Sequence, residues 1–223
     1  MPYRCASCSE LIEDSGGMCA ECFAKLNFIT SPYCQLCGVP FEFAMEGQAL
    51  CGKCIITPPK YDLGRSLLKF DQHSKNLIHA FKYNDKTSHA KMFAKLIIAR
   101  YANDLQDVEF IIPVPMHRIK RLVRNYNPAQ VLSTELAKLL KKRMLPDGLI
   151  KTKWTKAQTT LSRSERMKNL TGSIRINEKY DIKDRVILLI DDVRTTGTTS
   201  NTCSNLLKKA GAACVKLVTI GVA

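Results

Sequence analysis

The chain has 223 residues, 45% of them hydrophobic, enough for one domain of ordinary size beside a small module, which excludes wholesale disorder. Its apolar runs are far too short to cross a bilayer, and Met1-Pro2-Tyr3-Arg4-Cys5 carries no apolar signal region. The expectation is a soluble, cytoplasmic protein with no membrane span. The formal charge of +14 suits phosphate ligands or nucleic acid without requiring either.

Eight of the ten cysteines fall in the first 54 residues as four Cys-x-x-Cys pairs: Cys5/Cys8, Cys19/Cys22, Cys34/Cys37 and Cys51/Cys54. Such a pair presents two thiolates to one tetrahedral ion, and two pairs complete its coordination, so four pairs predict two structural zinc sites. Each zinc site with four thiolates is net negative by about two, which lowers the protein's charge to about +10. A disulfide framework suits a secreted chain better, and redox pairs of the thioredoxin kind sit in a βαβ context absent here. Sequential ligation puts Cys5, Cys8, Cys19 and Cys22 on one ion and Cys34, Cys37, Cys51 and Cys54 on the other; spacing also permits interleaving. Each half is too short to bury a core, so metal ligation supplies much of its folding energy. Pro58-Pro59 punctuates the end of this region.

From Tyr61 onward the pattern becomes α/β. Leu77–Tyr83 and Met92–Ile98 carry apolar residues at helical spacing, and Phe110–Pro115 reads as a buried strand ending at proline. The stretch from His117 to Asn127 follows, with Arg118, Lys120, Arg121 and Arg124 able to cradle a pyrophosphate or a nucleic-acid backbone and Tyr126 placed to stack on a ring. A solvated basic loop is the alternative. Ala129–Lys142 is predicted as an amphipathic helix with Val131, Leu132, Leu136, Leu139 and Leu140 inward. The polar segment Lys151–Arg166 has the profile of a lid over a site, with Lys156, Gln158, Arg163 and Arg166 as its candidate ligand contacts and the sole tryptophan, Trp154, within it. Ser164 is placed to cap a short helix, Glu165–Leu170.

Arg185–Asp191 reads as a strand buried on both faces, followed by a helix at Ser200–Lys209, a stop at Gly211 and a last strand at Val215–Val222. Cys203 and Cys214, outside the pairs, are expected to be small buried hydrophobes. Strands alternating with helices predict a mostly parallel sheet, with ligands collecting at the carboxyl ends of its strands. Asp191 and Asp192 sit at such an end, then Thr195, Thr196, Gly197, Thr198 and Thr199 lead into a helix start. Backbone N–H groups, hydroxyls and the helix dipole there favour an anion, and Gly197 lets the backbone approach it. The two carboxylates are placed to accept hydrogen bonds from ribose hydroxyls. A generic metal site or a helix cap is the plainer reading. No lysine follows Gly197, so a nucleotide-triphosphatase P-loop is disfavoured.

This strand, acid pair, loop and helix resemble the phosphoribosyl pyrophosphate (PRPP) motif of type I phosphoribosyltransferases. Further stretches resemble the ComF family more closely: the four cysteine pairs, Phe81-Lys82-Tyr83, Val114-Pro115-x-His117-Arg118, Arg124-x-Tyr126-Asn127, Thr155-x-Ala157-Gln158-x-x-Leu161-Ser162, Glu165-Arg166-x-x-Asn169-Leu170 and the acid-pair loop. The resemblance implies a double zinc ribbon at residues 1–57 and a type I phosphoribosyltransferase-like domain at 58–223, a mostly parallel sheet with flanking helices. It also implies PRPP with Mg²⁺ as ligand, with the 5′-phosphate on Thr195–Thr199 and Asp191 and Asp192 as ribose-binding and catalytic carboxylates. Arg118 and Arg124 would meet the pyrophosphate. Family members are associated with DNA uptake in natural competence, so DNA-uptake helicases or channel proteins are implied partners.

The activity implied is phosphoribosyl transfer, a glycosyltransferase reaction with no identified acceptor, and no general base for an acceptor base stands out. The competing reading is a non-catalytic protein that senses nucleotides or grips single-stranded DNA. One departure is local: the family usually has Arg-Gly-Phe-Asn-Gln where this chain has Arg124-Asn125-Tyr126-Asn127-Pro128. Asparagine can keep the left-handed backbone of the family's glycine, whereas Pro128 removes a donor.

Overall fold

The computed structural model describes residues 3–13, 17–43, 47, 49–83, 86–117, 125–152 and 172–223. The cysteine-rich segment holds a short antiparallel pair, β1 (Tyr3–Arg4) with β2 (Leu11–Ile12), and two one-turn helices, α1 (Ala20–Ala24) and α2 (Gly52–Ile56). Beyond it come β3 (Leu63–Lys69), α3 (Gln72–Tyr83), α4 (Lys86–Tyr101), β4 (Phe110–Pro113), α5 (Pro128–Leu140) and β5 (Arg143–Met144). After these follow β6 (Leu149–Lys151), β7 (Ile174–Ile176), β8 (Val186–Arg194), α6 (Thr198–Lys209) and β9 (Cys214–Val222).

A five-stranded sheet runs in the order β3-β9-β8-β4-β5, with every pairing parallel. The central strands are apolar because both their faces are covered. Ile187, Leu188, Leu189 and Ile190 of β8 are all fully buried, alternating between two cores. Leu188 and Ile190 meet Leu77 and Phe81 of α3, Phe93 and Ile97 of α4, and Leu132 and Leu136 of α5. Ile187 and Leu189 join Cys203 and Leu207 of α6, together with Leu149 and Ile174 of the antiparallel β6–β7 pair.

Helix starts follow local chemistry. Asp71 and Ser74 exchange backbone-to-side-chain bonds of 2.8 Å before α3, a reciprocal cap. Asn127 caps α5 by accepting from the Ala129 N–H at 3.1 Å, with Pro128 in the first helical position. Proline costs no hydrogen bond there, since that N–H has no partner within the helix. Asn125 has φ 62°, so it does keep the left-handed backbone expected of it.

Five expectations need correction. β8 runs three residues past Asp191, and β4 stops at Pro113, two residues short of Pro115. Leu139, expected inward, is 46% exposed, and Ala129, Ser133 and Glu135 take buried positions on α5 instead. Tyr126 is buried with its hydroxyl donating to the Phe81 carbonyl, so it is a packed tyrosine and not a stacking platform. Cys203 is fully buried as expected, but Cys214 is only partly so.

The cysteine-rich segment is fastened along the outer edge of β3. Ile29 N–H donates to Leu67 O, Lys69 N–H to Asn27 O and Gly64 N–H to Leu36 O, at 2.7–3.0 Å. An otherwise open sheet edge is thereby covered. No described helix is long and apolar enough to cross a membrane.

Candidate phosphoribosyl site and metal centres

β4 crosses over through α5 to its neighbour β5 on one side. β8 crosses through α6 to β9 on the other. The carboxyl ends of these adjacent strands therefore diverge, and a crevice opens where the direction of winding reverses. Pairing between them ends at Pro113 opposite Ile190, and Val114 N–H still reaches Ile190 O at 2.8 Å. Beyond that point β8 pairs with β9 alone, through Asp191–Thr219, Val193–Gly221 and Arg194–Val222. Its free edge borders a cavity of about 380 Å³.

That cavity brings together Asp191, Asp192 and Thr195 to Thr199 from the acid-pair stretch, with Lys82 of α3, Pro115, His117, Asn127 and Lys151 of β6. Gly197 has φ 76°, ψ 4°, a left-handed backbone that only glycine takes without cost, and α6 begins there without a side-chain cap. The conformation explains this glycine better than crowding, since an added Cβ would meet nothing nearer than Asn201 at 4.0 Å. Thr196 and Thr198 share a hydroxyl–hydroxyl bond of 2.9 Å, holding the loop in a tight curl at the helix start. A helix start fronted by hydroxyls is suited to an anion.

The two carboxylates differ. The alternation of β8 turns Asp191 toward Cys203 on α6, whose thiol is pushed up chiefly by burial and further by Asp191. Asp192 instead meets Lys82 of α3, with Nζ 3.1 Å from its carboxylate. Burial and then the Asp192 charge push Asp191 up to about 8, against the opposing pull of Lys82 and Lys151. Asn127 ties the crevice wall together: its amide donates to Val114 O at 3.0 Å while its oxygen caps α5.

Lys82, Asn127 and Lys151 were not assigned to the site from sequence. Lys82 and Asn127 stand within stretches quoted for the family resemblance; Lys151 opens the segment expected to form a lid and is instead the last residue of β6. Arg118, Arg124, Lys156, Gln158, Arg163 and Arg166, with Trp154 and the expected helix at 165–170, lie outside the described residues.

The cysteines gather in sequential fashion. Cys5, Cys8, Cys19 and Cys22 form one group and Cys34, Cys37, Cys51 and Cys54 another, with the four sulfurs of each within 4.8 Å of one another. Interleaved ligation is thereby set aside. Cys8 and Cys19 sulfurs stand 3.8 Å apart and those of Cys37 and Cys51 3.7 Å, close to the ~3.8 Å edge of a tetrahedron with zinc–sulfur bonds near 2.3 Å. Burial opposes ionisation of Cys5, yet the amides of Cys19, Cys8 and Ser7 bring it down to about 6; Cys34 falls to about 7 in the same manner. Four soft donors in closed, amide-supported sets fit two structural zinc ions.

Residues 1–55 match the double zinc ribbon domain and residues 129–221 the phosphoribosyl transferase domain. The chain is 30% identical over 216 residues to Competence protein F of Haemophilus influenzae, covering 94% of this chain and 92% of that protein. It is 26% identical over 206 residues to DNA utilization protein YhgH of Escherichia coli strain K12, across 90% and 88% of the two chains. Competence protein ComFC of Bacillus subtilis strain 168 is 26% identical over 218 residues, across 94% and 86%. Since the likeness runs through the paired cysteine clusters and the acid-pair crevice alike, this chain belongs to the ComF family.

Proposed function

We propose that the crevice binds PRPP with Mg²⁺ and that the protein serves DNA uptake or nucleotide metabolism through this ligand. One observation carries the reading: two carboxylates, a helix start fronted by threonine hydroxyls, and two lysines all face one cavity at the reversal point of a parallel sheet. The 5′-phosphate lies on the loop from Thr195 to Thr199, where N–H groups and the helix dipole favour it. Asp191 and Asp192 accept hydrogen bonds from the ribose hydroxyls. With PRPP bound, Mg²⁺ would be held beside Asp191 and Asp192 and would supply positive charge that offsets the charge of the leaving group. Lys82 and Lys151 add fixed positive charge to the crevice, and Arg118 and Arg124 complete the pyrophosphate contacts.

Turnover, as distinct from binding, requires an acceptor. As C1 of the ribose gains positive charge, the ionised acid pair favours that charge electrostatically. The DNA-related names of the relatives support a setting in DNA uptake, where single-stranded DNA and uptake helicases or channel proteins are the partners. Calorimetric titration with PRPP and Mg²⁺ tests the site, with Asp191→Asn/Asp192→Asn beside wild type. Binding by wild type that the variant loses supports the reading and justifies a screen for acceptors by pyrophosphate release. Absence of binding by wild type overturns it and turns attention to single-stranded DNA, whose affinity would fall steeply with salt.

A further inference from the structure

Arg194 is the last residue of β8 and the residue immediately before the loop from Thr195 to Thr199. Its side chain is 7% exposed. One guanidinium nitrogen donates to Cys37 O at 2.7 Å and another to the Tyr61 hydroxyl at 3.2 Å. None of the carboxylate ion pairs among the described residues includes it. A guanidinium buried without a counter-charge is costly. The anion within reach is the second cysteine cluster, because the carbonyl that Arg194 bonds belongs to Cys37, one of its four members. Four thiolates around a divalent ion leave about two negative charges beside it.

The turn from Cys34 to Cys37 is fixed to the sheet domain by three successive carbonyls. Gln35 O accepts from Arg65 at 3.0 Å, Leu36 O from the Gly64 N–H at 2.7 Å, and Cys37 O from Arg194. The approach is so close that a Cβ on Gly38 would stand 2.4 Å from Gly64 O. The first cluster is placed differently. Its described links to the sheet domain run to α4, through His89 against Ala6 O at 3.3 Å and Gly17 against Met92.

We infer that the metal-loaded second cluster, Cys34/Cys37/Cys51/Cys54, anchors the phosphate loop, and that Arg194 is the positioning residue between them. The metal fixes the Cys34–Cys37 turn, the turn fixes Arg194, and Arg194 holds the strand end from which the loop departs. The inference rests on the proposed role of the loop in binding phosphate, and it makes ligand affinity depend on the metal content of the second cluster.

Full-length, zinc-loaded wild type, Arg194→Met, Arg194→Lys, Cys51→Ser and Cys8→Ser provide the test. Amide hydrogen exchange is read over 195–199 without ligand, and PRPP–Mg²⁺ affinity by calorimetry. Arg194→Met and Cys51→Ser are expected to speed exchange at 195–199 and to weaken PRPP by about tenfold or more, the loss expected for a charge-assisted hydrogen bond. Exchange over 186–190 stays at the wild-type rate. Arg194→Lys, keeping the charge but not the fork, gives an intermediate result, and Cys8→Ser disturbs 195–199 less than Cys51→Ser. Wild-type exchange at 195–199 in Arg194→Met overturns the inference, as does faster exchange spread equally over 186–190. Should wild type bind no PRPP, the ligand reading fails, while the exchange comparison still decides whether Arg194 anchors the loop.

Discussion

Asp191 lies at about 8 because burial, then its neighbour Asp192, disfavours its charge. A carboxylate that accepts hydrogen bonds from ribose hydroxyls does so best when ionised, so binding must drive off the proton that the empty site retains. With a group titrating near 8, about 1% is ionised at pH 6 and about half at pH 8, so the affinity for PRPP–Mg²⁺ rises about 50-fold over that interval. The gain approaches tenfold per pH unit at the acid end and levels off above pH 8. Lys82 restrains the shift, so Lys82→Met moves the midpoint to higher pH. Calorimetry from pH 6 to 9 in buffers of different ionisation enthalpy measures both the affinity and the protons released, and Asp191→Asn removes the ligand's own titration from the comparison. A wild-type profile parallel to that of Asp191→Asn, with equal proton release, refutes the reasoning. The same shift acts on stability with the opposite sign. The folded value stands above the unfolded one, so the contribution is fully present below about pH 4 and is lost as pH rises through about 8. Asp191→Asn is therefore expected to stabilise the ligand-free protein at pH 8 relative to wild type.

Leu189 is fully buried in the centre of β8, and Leu189→Ala is expected to cost about 2–5 kcal/mol in denaturant unfolding; a loss below about 1 kcal/mol would contradict a close-packed core there. Metal analysis should find two zinc ions per chain, and their removal by a chelator should release the amides of Gly64 and Lys69, which donate to the cysteine-rich segment, to faster exchange. Unchanged protection of both would show that the segment stays seated on β3 without metal. Asn127→Ala removes both the cap of α5 and the donor to Val114 O. It is expected to cost about 1–2 kcal/mol in thermal or chemical unfolding, and stability equal to wild type would show that the cap contributes nothing.

The parts of the fold legible in sequence were those where burial and periodicity coincide. Val186 to Ile190 is apolar without interruption because both its faces are covered. The end of β8 was not legible, because from Asp191 onward the strand continues by pairing with β9 while its side chains turn polar toward the crevice. Hydrophobicity registers burial and is blind to backbone pairing. β3 escaped notice for a related reason. Gly64, Arg65 and Ser66 interrupt its apolar pattern, yet all three are buried; Arg65 is bonded to Asp104 and Gln35, and Ser66 to Thr219. On α5, spacing selected Leu139, while the contact with α4 and the sheet centres on Leu132 and Leu136. The cysteine spacing fixed the ligand set but left its partition open, since four equivalent pairs differ only in where the chain folds them.

Asp191 and Asp192 show the same limit within the site. Adjacent in sequence and following one strand, they invite a single role as a pair. In the fold both border the crevice, but Asp191 turns toward Cys203 of α6 while Asp192 meets Lys82 of α3 at ion-pair distance. Burial first, and the neighbouring Asp192 second, push Asp191 up to about 8. Lys82, which meets Asp192, comes from a helix more than a hundred residues earlier in the chain, so no local motif could have separated the two carboxylates.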